Sequence, residues 1–240
     1  GTLIVDHEGS LVQVNDNASL TNNGTIIVKK TTPSMMAKSF MIIGSPMTAE
    51  TREGVYADSY IVRHHVTSNF IPNPDVELVS QGINNWADDN GDNWLTHTGG
   101  LNPGEGYMVF PQPNGTANGS YTQNHTLGTL TNGVITIPLT FNEPGPTASD
   151  NQNASPNLLA NPYASAIDAE LFFDDPENDN INVVYFWEHN TPLATYPGYN
   201  ALNFSMADIS LYSESVGGLP AASGGATPTN IIASGQGFAV

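Results

Sequence analysis

Short runs of alternating apolar and polar residues, punctuated by Gly, Asn, Asp and Pro, dominate the chain, and a period of two predicts strands. Near the start, Thr2-Leu3-Ile4-Val5, Ser10-Leu11-Val12-Gln13-Val14 and Gly24-Thr25-Ile26-Ile27-Val28 are separated by turn signals at Glu8-Gly9, Asn15-Asp16-Asn17 and Asn22-Asn23-Gly24. This spacing over residues 1–34 suits the edge of a parallel β-solenoid, and equally a plain β-hairpin. Phe40-Met41-Ile42-Ile43-Gly44 is almost unbroken in its apolar character, as in a central buried strand, and Tyr60 to Val66 alternates. Val134-Ile135-Thr136-Ile137-Pro138-Leu139, Val183 to Trp187, Ile209 to Tyr212 and a last strand from about Ile231 complete the strand pattern. Loops are expected at 145–155 and 217–229, where small and polar residues dominate.

The period changes once, around Asn157-Leu158-Leu159-Ala160-Asn161-Pro162-Tyr163-Ala164-Ser165-Ala166-Ile167-Asp168. Pro162 fixes its own φ and pushes Asn161 into an extended conformation, which ends the Leu158-Leu159 strand. Ser165 then sits at a helix N-cap, with Asp168 reaching back in a capping box, ahead of a short helix through Leu171 and Phe172. The fold predicted is all-β: an antiparallel, jelly-roll-like β-sandwich over residues 35–240 with one short helix, preceded by the solenoid-like edge. The apolar end at Phe238-Ala239-Val240 suggests that the sandwich is cut short there and that the chain is a piece of something longer.

That block, Tyr185-Phe186-Trp187-Glu188-His189-Asn190, Gly104-Glu105-Gly106-Tyr107 and Ala233-Ser234-Gly235-Gln236-Gly237-Phe238 together resemble the β-rich domain of large surface proteins and adhesins exported by the type IX secretion system of gliding bacteria. There N-G-N-P-Y-P-S-A-I-D-, Y-F-W-x-H-N-, P-G-x-G-Y- and A-x-G-Q-G-F-like blocks occur. Ala160 and Ala164 depart from the usual Gly and Pro. The resemblance implies a secreted, cell-surface domain of an adhesin or filament, with partners that differ between members: an extracellular glycan, a surface protein, or copies of itself in a longer repetitive protein. It further implies export through a segment outside these residues. Asn161, Pro162, Tyr163, Ser165, Asp168, Trp187 and His189 are then structural residues.

Charge narrows the partners. The formal net charge is −18, and the five basic residues (Lys29, Lys30, Lys38, Arg52, Arg63) all precede His64. Such a surface repels phosphate and anionic lipid, which disfavours nucleic acid and direct membrane docking. No apolar run approaches the roughly 20 residues of a membrane span. Without cysteine there are no disulfides and no thiol chemistry.

Most carboxylates are solvated, used as caps, or placed around hard cations. No cofactor is required, and calcium is the metal that the oxygen-rich loops could hold. Asp88, Asn90 and Asp92 open like a calcium loop, although Gly91 falls at the fourth place and no Glu at the twelfth; Asp174, Asp175 and Asp179 form a second acidic loop. His64 and His65 would face opposite sides of a strand, against a shared metal. Glu170 and Glu188 are the carboxylates best placed by neighbourhood for glycoside hydrolysis, but neither a nucleophile elbow nor a dinucleotide fingerprint occurs, and the chain reads as non-catalytic. Trp94, Tyr196 and Tyr199, set among Asn and Asp, are candidates to stack on sugar rings, which would make a carbohydrate-binding module of a polysaccharide-degrading protein the alternative. Trp187 reads as a core plug, and His189 as a hydrogen-bonder holding the turn before Pro192. Seven N-x-S/T triplets, Asn114, Asn118 and Asn124 among them, fit the glycosylation rule, in a composition that generates such triplets by chance.

Overall fold

A computed structural model of the protein describes residues 1–69, 94–116, 118–141, 156–195 and 202–240. Its strands are β1 (Thr2–Val5), β2 (Thr25–Thr31), β3 (Met41–Ile43), β4 (Ile61–His65), β5 (Trp94–Thr96), β6 (Tyr107–Phe110), β7 (Thr122–His125), β8 (Leu158–Ala160) and β9 (Ile167–Asp168). They continue with β10 (Val183–Trp187), β11 (Ala194–Thr195), β12 (Leu202–Asn203), β13 (Ile209–Ser213), β14 (Gly217–Leu219), β15 (Ile231–Ile232) and β16 (Gly237–Ala239). The α-helices among the described residues are α1 (Arg52–Val55) and α2 (Ala169–Phe173). The all-β class expected from the period-two pattern is what the chain adopts.

Three larger sheets carry the architecture, in the orders β1-β2-β7, β3-β6-β4-β5 and β14-β13-β10-β16-β8. The β1–β2 pair is parallel, and every neighbouring pair in the other two sheets is antiparallel. In β10 the alternation decides which side chains go inward: Val184 and Phe186 are buried, whereas Val183, Tyr185 and Trp187 are half-buried. Val184, Phe186 and Tyr212 pack with Phe238 and with Ala169 and Phe173 of α2, so the helix closes one face of the five-stranded sheet. Fully burying a side chain such as Phe238 contributes about 2–3 kcal/mol. A second cluster joins Ile43, Val62, Tyr107 and Val109, and a third joins Val5, Ile26 and Val28 to Met47, Leu130 and Ala164.

The five-stranded and four-stranded sheets meet at a corner. Ile43 bridges Gln236 and Glu105 bridges Leu159, with Gly44 donating to the Gly235 carbonyl and Ala160 to the Gly104 carbonyl, each at 2.9 Å. Three of the four sequence blocks singled out above therefore touch here, and the fourth joins them through the pairing of β10 with β16.

Several expectations are corrected. Helix α1 was not anticipated; it is a single turn capped by Thr51, whose hydroxyl accepts from the Gly54 amide at 3.0 Å. Ser165 does not cap α2. Residues 167–168 are first drawn into a two-residue ladder with Ile231–Ile232, so the helix starts after Asp168, whose carboxylate accepts from the Glu170 amide at 2.9 Å. Ser10–Val14 and Val134–Leu139 alternate as strands do, yet neither joins a ladder. The first is tied down by Leu11, which donates to the Ala164 carbonyl at 3.0 Å.

Candidate functional site

Asn161 is the node from which the candidate site is built. The side chain is fully buried; its amide nitrogen donates to the carbonyls of Ser165 (2.8 Å) and Ile232 (3.0 Å), and its oxygen accepts from the Tyr163 amide (2.9 Å). The backbone of Asn161 also exchanges hydrogen bonds with Gly235 and Gln236. One amide thus fixes the turn after β8 to the turn before β16, and Tyr163 carries the connection outward by donating its hydroxyl to the Gly133 carbonyl at 2.7 Å. Pro162, buried beside it, needs no partner for a backbone N–H. Asn161→Ala would remove a partner from one buried and two part-buried backbone groups and is expected to cost about 3 kcal/mol, read as a fall in the urea midpoint with unchanged far-UV circular dichroism.

Residues 133–139 run past this node in an extended path and form one wall of a cleft of about 840 Å³. Their alternation has a structural meaning: Ile135 and Ile137 are half-buried and turn inward, while Val134 and Thr136 are exposed, and Ile137 packs against the core cluster that contains Phe238. The opposite wall comes from residues after β8 and from α2 with the loop that follows. Leu159, Phe172 and Ile181 give the cleft an apolar floor, and Asp16, Thr136, Asp175, Glu177 and Asn180 give it a polar rim, with no basic side chain in the lining among the described residues. That loop is fixed, because Asn178 donates its side-chain amide to the Phe172 carbonyl at 2.9 Å. Among the described residues, no hydrogen bond joins the backbone of residues 136–139 to a neighbouring strand.

The predicted metal residues are spread differently. Asp175 spends one carboxylate oxygen on the Glu177 amide at 2.9 Å, as the cap of a short 3-10 turn. Asp174 and Asp179 flank that turn, and among the described residues no three His, Asp or Glu side chains converge as a metal ion would need. Asp88, Asn90 and Asp92 lie outside the described residues, as do Tyr196 and Tyr199. Trp94, at the edge in β5, stands edge-on to His65 with centroids 4.8 Å apart and is not part of the cleft. His64 turns instead toward His97, at 5.9 Å.

Trp187 and His189 belong to an aromatic seam. Trp187 is half-buried and stacks on Phe40 (4.8 Å, 18° between planes), with Phe204 set edge-on to both. It closes the seam, while Val184 and Phe186 fill the interior. His189 does hold backbone, but Nε2 accepts from Phe40 at 2.6 Å, far along the chain from Pro192. The turn before Pro192 is held by Asp208, whose Oδ2 accepts from the amide and the hydroxyl of Thr191. Burial lowers the His189 pKa to about 4, against an opposing pull from Asp208.

Glu170 and Glu188 both serve as acceptors for strand β13: Tyr212 donates its hydroxyl to Glu170 at 2.6 Å, and Ser210 donates to Glu188 at 2.8 Å. The cleft wall at 134–139 and the rim residue Asn180 were not anticipated as a site. The available signal was Pro138, which cannot donate to a ladder and so marks a strand with one side open.

Fold and cleft together define a β-rich domain with an acid-rimmed groove, and among the described residues no helix is long and apolar enough to cross a membrane. The chain belongs to the family described as "Domain of unknown function (DUF8693)", whose model matches residues 1–240. No curated protein and no solved structure matches it significantly.

Proposed function

We propose that this chain is a non-catalytic domain of a secreted bacterial surface protein, an adhesin or filament of the type IX secretion class, and that its cleft takes a neutral, hydroxyl-rich ligand such as a glycan chain. The observation that carries the ligand class is the cleft itself: an apolar floor, a rim of Asn, Thr and carboxylate side chains, and a wall at 133–139 that joins no ladder among the described residues. Hydroxyls of a sugar can donate to the carboxylates and carbonyls and accept from the amides, and the floor can receive the apolar face of the ring. A net charge of −18, with no basic side chain among the described lining residues, selects against sulfated or uronate chains. The finer architecture that goes with this reading is a jelly-roll-like sandwich entered from a solenoid-like edge at residues 1–34, and the parallel β1–β2 pair supports the solenoid over the hairpin.

Calorimetric titration with neutral oligosaccharides found on a glycan array tests the ligand. Asn180→Ala is expected to weaken a hit about fivefold, the loss of one hydrogen bond, with the melting temperature unchanged. An array without neutral hits, or hits indifferent to Asn180→Ala and Glu177→Gln, removes the cleft as the binding site. The alternative, a carbohydrate-binding module of a polysaccharide-degrading protein, places the stacking on Tyr196 and Tyr199; binding lost in Tyr199→Ala but kept in Asn180→Ala favours it.

A further inference from the structure

The first 28 residues hold a repeat. Gly1-Thr2-Leu3-Ile4-Val5 and Gly24-Thr25-Ile26-Ile27-Val28 differ only by Leu3 against Ile26. The structure lays one copy on the other in parallel and without offset: Thr2 faces Thr25, Leu3 faces Ile26, Ile4 faces Ile27 and Val5 faces Val28, a period of 23 residues. The register runs on beyond the ladder at both ends. Lys29 Nζ lies 3.1 Å from Asp6 Oδ1, and the Gly1 carbonyl accepts from the Thr25 amide at 3.1 Å, standing where a Cβ on Gly24 would be. A parallel pair needs a crossover of a dozen or more residues, and the stretch from Asp6 to Asn23 supplies it.

Strand β2 uses its second edge on β7, whereas the outer edge of β1 pairs with no strand among the described residues. The consequence shows in equivalent side chains. Ile26 is 5% exposed, and Leu3, directly beside it in the register, is 41% exposed. Nothing blunts this edge: Thr2–Val5 contains no Pro, no Lys and no bulge. Asp6, already paired with Lys29 on one side, keeps a side chain that is 77% exposed.

We propose that β1 is an interaction surface for a further parallel rung of the same 23-residue repeat, with Gly-Thr-(Leu/Ile)-Ile-Val in its strand and a basic residue next in sequence. That occupant lies beside Leu3 as β1 lies beside Ile26, sets a glycine against Gly1, and gives Asp6 a second cation in the manner of Lys29. A second copy of the chain fits less well. Two-fold symmetry would pair β1 with β1 antiparallel, leaving Asp6 without a second cation. The proposal rests on the solenoid reading of residues 1–34 and is independent of the cleft.

The test lengthens the full chain at its N-terminus by one more unit, a copy of residues 1–23 carrying Asp6→Lys. Amide hydrogen exchange then reads those amides of Thr2–Val5 that point away from β2. They are expected to slow at least about tenfold relative to the parent chain, with a higher melting temperature. The same extension carrying Ile4→Pro in the added unit is expected to give neither effect. Equal exchange in both extended chains overturns the proposal. So does concentration-dependent protection of residues 2–5 in the parent chain, matched by a dimer in sedimentation velocity, because the occupant is then a second copy. Oligosaccharide titration of the extended chain reports on the cleft separately, so the two readings can fail independently.

Discussion

Gly237→Ala is expected to destabilise the fold by about 4 kcal/mol or more, a large share of a total stability on the order of 5–15 kcal/mol. Strand β16 crosses β3 so closely at this point that a Cβ on Gly237 would lie 2.6 Å from the carbonyl carbon of Ile42 and 2.7 Å from its oxygen. Those atoms are backbone, held in register by the Ile43–Gln236 bridge, and cannot swing aside as a side chain would. The same closeness recurs around the corner. A Cβ on Gly44 would meet the Ala160 side chain and come within 2.8 Å of the Glu105 carbonyl, and one on Gly106 would come within 2.6 Å of the Leu159 carbonyl. These glycines let two sheets share a corner without separating, and the cores on either side depend on that contact. The control is Gly100→Ala, where a Cβ would meet nothing within 4 Å; its effect is expected to stay within about 1 kcal/mol. Urea unfolding followed by circular dichroism compares the two. If Gly237→Ala proves as mild as Gly100→Ala, the corner is not held as described.

Acidification is expected to destabilise the fold steeply between pH 6.5 and pH 4. Burial lowers the pKa of His65 and His189 to about 4 and of His125 to about 3. In each case the folded protein keeps a neutral imidazole at a pH where the unfolded chain is already protonated. Stability is therefore complete above about pH 6.5 and is lost as the pH falls toward the folded values. Each histidine forfeits about 2–3 kcal/mol by pH 4.5, because every tenfold loss of proton affinity on folding is worth about 1.4 kcal/mol.

The surroundings explain why none of the three accepts a proton readily. His125 is fully buried with the Lys30 charge acting on it, the Ser45 hydroxyl 3.4 Å from Nδ1, and Tyr56 edge-on at 6.1 Å. His65 has His64 beside it and Trp94 across it, and protonated His189 would lose the bond from Phe40. Solvated carboxylates titrate mostly below this window, so unfolding free energies measured by urea from pH 7 to pH 4.5 isolate the histidine contribution. His125→Gln is expected to flatten the slope by about a third. A flat profile for the parent chain would contradict the burial of all three.

How much of this was legible beforehand depends on how far apart the interacting groups lie in sequence. The period-two runs in β1, β2, β4, β10 and β13 mark strands because alternation records a buried and an exposed face, which each segment carries in its own residues. The same rule misled at 134–139. Alternation does appear in the structure, where Ile135 and Ile137 turn inward and Val134 and Thr136 are exposed, but it says nothing about whether another strand lies alongside to complete a ladder. Among the described residues none does, and the cleft lies along that side. Ser165 failed as a cap for a related reason: the S-x-x-D pattern is local, and the ladder with Ile231–Ile232 that displaced it joins residues far along the chain.

The sequence by itself determined the all-β class, the acidic character and the turn at Asn161-Pro162, because propensity, charge and φ restriction act within a few residues. Only the tertiary structure decided that Asn161 ties two turns together, that His189 holds Phe40, that Gly44, Gly106 and Gly237 form one corner, and that residues 133–139, outside every ladder of the described residues, wall a cleft. Each of these is a contact between distant parts of the chain, and its partner is chosen by three-dimensional packing.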